Sequence, residues 1–510
     1  MGLLFIATAM LFVPNLGIEA DEALIGNGIY EGGAPWYSWK FGGYEVPVML
    51  ISYLGALKTW LYSALFAIWA PGPLSLRLPM FLVGAATIWL FFAFLDRAVG
   101  RRAAWIGTVL LATDTSFVLL EMSDFGPCVF QLFLKLGALL LLLRFHCEGS
   151  PRALAGAFFL LGLALWDKAV FLWVLFGLAV AGLLVFSCEI RQHFSRRNVT
   201  VAAAAMTLGA LPLVIYNIAR PLETLRANVK VERQPVGAKV EILKQTLNGH
   251  VLFGFLTAED PGLHPGQPEG WYQRGSLWLS SAMPYTRQNL TLWAFLAAAV
   301  SLIPLWRTKL RRPMLFGLVV FFAAWLPMVL TAGAGAAAQH TILLWPFQFL
   351  VIAAALGSVS TRLAAALTVL LCVSNLALTN QYYADLIRNG GGIRWTDAIY
   401  RLDQYLMKLH APRVVIADWG ILETINLLSE GETPVIAFAA DDVKTIERIL
   451  SNPRHIFVAH TAPYAVLPQL RGALEDQARR QGYREVPIRS IQDRNGRSIF
   501  EIFRFRKVHL

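Results

Sequence analysis

The sequence predicts a polytopic α-helical membrane protein with about 11 transmembrane helices and a C-terminal extracytoplasmic α/β domain. Three observations carry this. The 510 residues are 56% hydrophobic and 15% charged, where soluble domains run near about 25% charged. Apolar runs of roughly 17–25 residues, the length that crosses a bilayer, recur through residues 1–380. Residues 381–510 instead alternate short helical and strand patterns. This composition, with mean hydropathy +0.53, excludes disorder and an ordinary cytosolic enzyme. The net charge of +11 raises nucleic-acid binding until the charges are placed. Four cysteines (Cys128, Cys147, Cys188, Cys372) provide no disulfide framework and no paired metal spacing.

Taken in order, the spans fall near 3–18, 74–95, 103–121, 126–143, 153–166, 169–187, 199–217, 290–306, 313–332, 341–360 and 363–380. The first lacks a basic n-region and a small-x-small cleavage site, so it reads as a retained helix rather than a signal peptide. Residues 19–47 are polar and Gly-rich. Residues 48–70 are semi-apolar with Lys58 in the middle, which predicts an interfacial helix rather than a span.

Charge then orients the helices. One set of connections holds 13 basic residues, from Arg97 to Arg362, against Asp96, Glu148 and Glu189. The other set is acidic or balanced. By the positive-inside rule the first set is cytoplasmic, the N-terminus is inside, and everything after residue 380 is outside. The domains are therefore a membrane domain, 1–380, with long outer loops 19–73 and 218–289, and a soluble domain, 381–510. Residues 395–510 carry 16 basic and 14 acidic residues, and all others outside the cytoplasmic turns nearly cancel. No basic face remains for nucleic acid.

The soluble domain opens at Gly390-Gly391-Gly392. A helix is expected near 395–409, a strand at 413–417, a helix at 420–430 and a short strand at 434–438. A helix at 441–451, a strand at 455–460, a helix at 465–481 and strands at 484–490 and 498–505 follow. No Gly-rich phosphate loop is present.

Chemistry concentrates on the outer face. Asp21 and Glu22 follow the first span, then Glu31 and Glu45, and Asp124 lies in the short turn Ser123-Asp124-Phe125-Gly126. Solvated surface carboxylates are one reading. A general base, or oxygen ligands for a divalent cation, is the other. Lys168, beside Asp167, is either a snorkelling lysine or a point charge for a phosphate. Arg77, in Leu76-Arg77-Leu78-Pro79, is either a headgroup anchor or a second phosphate contact. His340 precedes the tenth span. Asp114 and Lys135 share a depth in the third and fourth spans, which predicts a buried pair.

The ordered set Asp21-Glu22, Tyr44-Glu45-Val46-Pro47, Arg77-x-Pro79, the Asp124 turn and the Lys168 junction resembles the GT-C glycosyltransferases. Within them it is similar to the family 39 protein mannosyltransferases and the related lipid A aminoarabinose transferase, over about residues 1–380. The resemblance implies a GT-C-like fold. It also implies transfer of a sugar from a polyprenyl-phosphate donor to a protein, lipid or glycan acceptor, with inversion, at the outer face of a bacterial inner membrane. Asp21 would be the general base, Glu22 would belong to the catalytic set with it, and Asp124 would assist near the donor or acceptor. Lys168, Arg77 and His340 would contact the donor phosphate, and Glu45 would be a ligand if a divalent metal takes part. Val46 stands where the aminoarabinose transferase has a lysine, and Asp167 and Ala169 depart from its Thr-Lys-Gly junction. The rival reading is a polytopic transporter or lipid flippase, for which Asp114 and Lys135 are the only midplane ionisable candidates.

Overall fold

The computed structural model describes residues 1–231, 235–283, 286–439 and 443–508. Every apolar segment expected to span forms helix. Among the described residues, Pro73–Ala98, Val129–Glu148, Arg311–Leu330 and Thr361–Asn389 are individually long and apolar enough to cross a membrane. Five bent pairs bring the number to nine. The other two expected spans are shorter apolar helices, Pro151–Asp167 with 17 residues and Thr291–Val300 with 10.

The bends have local causes. Gly2–Asn15 and Ala20–Asn27 meet at 97° after Pro14 and Gly17, and Arg101–Thr113 meets Thr115–Ser123 at 59° around Asp114. Each break exposes backbone carbonyls and amides that an apolar interior leaves without water. Buried polar side chains fill that need. Asp114 caps the second half of its pair by accepting from the Phe117 amide (2.9 Å) and also accepts from the Trp345 indole (2.8 Å). Lys135 donates to the Leu343 and Trp345 carbonyls at another break. The expected Asp114–Lys135 pair is therefore not formed. Both groups are spent on the segment around Trp345, because broken helix ends compete better for them than a charge partner does. Lys239 serves the end of Arg311–Leu330 in the same way, at the Met328, Val329 and Thr331 carbonyls.

Residues 48–70 are not one interfacial helix. Three strands form an antiparallel sheet, β1 (Tyr37–Phe41), β2 (Tyr44–Ile51) and β3 (Leu54–Gly55), and only Leu57–Phe66 is helical. Val48, Met49 and Leu50 are buried against helices, so their apolar run reads as membrane-like in sequence although it is strand. The long segment 218–289 holds three helices: Glu223–Asn228, Val236–Leu247 and Trp271–Ala282.

The helix Thr361–Asn389 continues past residue 380 and ends at Gly390, whose φ of 75° suits a glycine. Beyond it lies a five-stranded sheet of β4 (Val414–Ile416), β5 (Val435–Ala437), β6 (Ile456–His460), β7 (Tyr483–Gln492) and β8 (Ser498–Lys507). Its order is β5-β4-β6-β8-β7, with the first three strands parallel and β7–β8 an antiparallel hairpin. Residues 441 and 442 of the expected helix 441–451 lie outside the described residues.

This sheet region packs on the short helix Ala20–Asn27. The Gly17 amide donates to the Trp395 carbonyl (2.8 Å), Asn426 hydrogen-bonds Asn27, and Arg494 donates to the Asn15 side chain (2.6 Å). A Cβ at Gly17 would stand 2.1 Å from the Thr396 carbonyl oxygen, so only glycine allows this approach.

Candidate active site

The site is built on the start of helix Ala20–Asn27. Glu19 adopts an extended conformation and its carboxylate accepts from the Asp21 amide (2.6 Å), capping the helix. Asp21 and Glu22 then occupy the first turn, where free amides and the helix dipole favour carboxylates.

Consecutive positions on a helix point apart, and the two carboxylates have different fates. Glu22 is buried and forms a two-pronged ion pair with Arg77, Nε–Oε1 2.7 Å and Nη2–Oε2 2.8 Å. Arg77 also donates to the carbonyls of Leu16 (3.4 Å) and Gly17 (2.6 Å) at the first break. Arg77, expected at the donor phosphate, and Glu22, expected in the catalytic set, take each other as partners inside the protein. Together they bind helix Ala20–Asn27 to Pro73–Ala98.

Asp21 is only partly buried. Burial raises its carboxyl above the ordinary aspartate range, and the charges of Lys168 and Arg394 pull it back down. Lys168 is buried at the turn after Pro151–Asp167 and donates to the Gly126 carbonyl. That turn is pinned by β3, through Leu54 opposite Lys168 and the Ala169 amide on Tyr53 O (2.9 Å). His340 is close enough for the charge of Lys168 to act on it, and its Nδ1 is buried without a hydrogen-bond partner. Its neighbour Gln339 covers Gly126. Asp21, Lys168 and His340 thus gather around the 124–127 turn.

Asp124 is beside them but occupied. Its backbone lies in the left-handed region (φ 44°), Oδ1 accepts from the Cys128 and Val129 amides (3.0 Å each), and Oδ2 is paired with Lys58. Both oxygens are used: Asp124 caps Val129–Glu148 and holds Lys58. Glu45, expected as a metal ligand, sits at an exposed end of β2 and pairs with Lys40 (2.8 Å). Among the described residues no three His, Cys, Asp or Glu side chains gather as a metal site.

Three participants escaped the sequence reading. Lys58 reads as interfacial but is 2% exposed. Glu19 is absent from the residues that the sequence singles out, yet burial and the neighbouring Asp21 push its carboxyl up to about 8. Arg394 follows the glycine triplet, and its guanidinium lies over Trp419 (4.4 Å) while its Nη1 stands 3.9 Å from Glu19. A lysine inside an apolar run is the one available signal, for Lys58. Nothing local marks the other two.

Residues 56–216 match the family described as dolichyl-phosphate-mannose-protein mannosyltransferase. The fold is similar to that of ArnT from Cupriavidus metallidurans bound to undecaprenyl phosphate, at 12% identity and a TM-score of 0.60, covering 98% of this chain and 97% of that chain. It is also similar to the Archaeoglobus fulgidus oligosaccharyltransferase tethered to an acceptor peptide, at 13% identity and a TM-score of 0.51, covering 99% of this chain and 74% of that chain. No curated protein matches by sequence. The family match thus covers residues 56–216, and the likeness in fold extends over 98% of the chain.

Proposed function

We propose that the chain transfers a sugar from a polyprenyl-phosphate donor to a hydroxyl of a protein, lipid or glycan acceptor, in one inverting displacement. The observation that carries this reading is the position of Asp21: a part-buried carboxylate at a helix start, within reach of the charges of both Lys168 and Arg394. The likeness to a fold that holds undecaprenyl phosphate in ArnT supports the donor class.

In this reading the acceptor hydroxyl gives its proton to Asp21 while its oxygen attacks the anomeric carbon. The bond from that carbon to the phosphate oxygen breaks, and polyprenyl phosphate leaves with the electron pair. A phosphate is a good leaving group, so no general acid is required. Lys168 keeps two ammonium donors beyond the one on Gly126 and faces the charge that grows on the leaving phosphate, with His340 beside it. Glu22–Arg77 and Lys58–Asp124 hold the walls. The 13-to-3 excess of basic residues in one set of connections supports a cytoplasmic N-terminus and a site on the outer face of a bacterial inner membrane.

The test is Asp21→Asn in purified protein, supplied with undecaprenyl-phosphate-linked sugars. Transfer should fall by about 10³-fold or more while undecaprenyl phosphate still binds. Retained turnover would remove Asp21 as the base.

A further inference from the structure

The β7–β8 hairpin separates its charges by face. Pairing sets Arg484 opposite Arg506, Val486 opposite Arg504 and Arg489 opposite Ile502, and residues paired across a ladder share a side of the sheet. Ile502 packs in the core under helix Ala398–Leu409, so the four arginines lie on that helix's side. The helix adds Arg401 and Lys408, seven residues and about 10 Å apart along its axis. The acids are on the other side: Glu485 and Glu501 are both bound by Arg471, at 2.9 and 3.1 Å. Among the described residues none of the six basic side chains forms an ion pair. Arg504 Nε is buried without a hydrogen-bond partner. Residues 395–510 are nearly balanced, with 16 basic and 14 acidic residues, so this cluster comes from segregation and not from composition. Like charges gathered in this way repel each other and attract an anion.

Between helix Ala398–Leu409 and the end of β7 runs an open groove of about 470 Å³. Arg401, Lys408 and Arg489 line it, with Gln404, Tyr405 and Gln492 between them, and no acidic side chain does. Two of its cations are fixed in place. The Arg489 guanidinium lies over the Tyr405 ring (4.8 Å), and Arg401 donates to the Gln492 carbonyl (3.0 Å). Arg484, Arg504 and Arg506 continue the basic surface along the hairpin, away from Gln492. At the Gln492 end the chain passes into Asp493-Arg494, and Arg494 donates to Asn15 and to the Leu386 carbonyl. The groove thus begins at the seam with the membrane helices and extends away from it.

We propose that this groove docks the body of the acceptor, and that the acceptor is an anionic glycan chain bearing carboxylates or phosphates. This names the acceptor class of the transferase reading and rests on that reading for the acceptor role. Guanidinium and ammonium groups suit carboxylates and phosphates, and the Gln404 and Gln492 amides suit hydroxyls. An acidic peptide would add a strand to the free edge of β7. That edge is poor for it, because Pro487 has no N–H and the ladder is irregular between Pro487 and Arg489. An anionic bilayer surface would meet only the seam end of the groove.

The experiment offers hexagalacturonate and a phosphorylated oligomannose to the full chain in nanodiscs of zwitterionic lipid, with binding read by saturation-transfer NMR. At least one should bind, at least about tenfold tighter than unmodified oligomannose, and Arg484→Gln with Arg489→Gln should weaken it about tenfold. Lys408→Gln, at an exposed helix position, should weaken it in the same direction and guards against misfolding of the double variant. Binding of neither anionic glycan, equal binding of oligomannose, binding that ignores these substitutions, or preference for hexaglutamate or for the lipid headgroup glycerophosphoglycerol each overturns the proposal. In transfer from undecaprenyl-phosphate-linked sugars, the double variant should raise KM for the anionic acceptor more than it lowers kcat. An unchanged KM overturns the acceptor role. Glycan binding that obeys the substitutions, with no transfer from any such donor, overturns the transferase reading instead and leaves the groove's ligand class standing.

Discussion

At the scale of single residues, the site separates charges that hold the protein together from charges left available. Lys58 and Asp124 are the clearest of the first kind: both are buried, and each is the other's counter-ion. Removing one partner strands the other, so Lys58→Ala should cost about 3–5 kcal/mol, read as a lower unfolding temperature in detergent. Lys58→Met with Asp124→Asn should recover much of that loss, because Asn still accepts from an amide and no charge is left alone. Asp21 is of the second kind. A base works only when deprotonated, and burial has raised its carboxyl, so activity should fail on acidification above the ordinary aspartate range. Arg394 lowers that carboxyl, hence Arg394→Gln should move the acid limb of kcat/KM to higher pH. A limb that stays put or moves to lower pH would contradict the placement of Arg394 against Asp21.

At the scale of elements, broken helices explain where the buried cations go. A helix interrupted in an apolar interior leaves carbonyls unpaired, and a nearby lysine or arginine relieves them. Arg77, Lys135, Lys168 and Lys239 each donate to such carbonyls. The same logic weakens the transporter alternative, since Asp114 and Lys135 each make structural hydrogen bonds at helix breaks. The break after the first helix also needs Gly17. Gly17→Ala should force the Thr396 carbonyl away and cost about 1–3 kcal/mol, with increased protease cleavage between residues 389 and 398 as the measurement. An unchanged digestion pattern would mean that the close approach is not required.

At the scale of the molecule, the C-terminal sheet region is part of the site's scaffold. It supplies Arg394 and Trp419 and presses Leu427 against Gly26 of the short helix. Deleting residues 395–510 should therefore lower both stability and turnover, although Asp21, Lys168 and His340 remain. A truncated chain with wild-type activity on undecaprenyl-phosphate-linked sugars would show that the seam has no role in forming the site.

How much of this was legible in sequence differs by feature. Helical segments and the order of the C-terminal strands along the chain follow from hydrophobic period and span length, which act over a few residues, whereas the helix Ala20–Asn27 lies in a stretch that reads as a polar loop. Those local rules determined the fold class. They did not determine which charges are free. Glu22 and Asp21 are adjacent in sequence, yet Arg77, 55 residues away, binds only Glu22. Lys58 looks interfacial until Asp124, 66 residues away, meets it. The β1–β3 sheet was hidden because buried strand and membrane helix are equally apolar. Only tertiary structure decides these matters, because the cost of burying a charge is set by the partner that packing delivers, and that partner is remote in the chain.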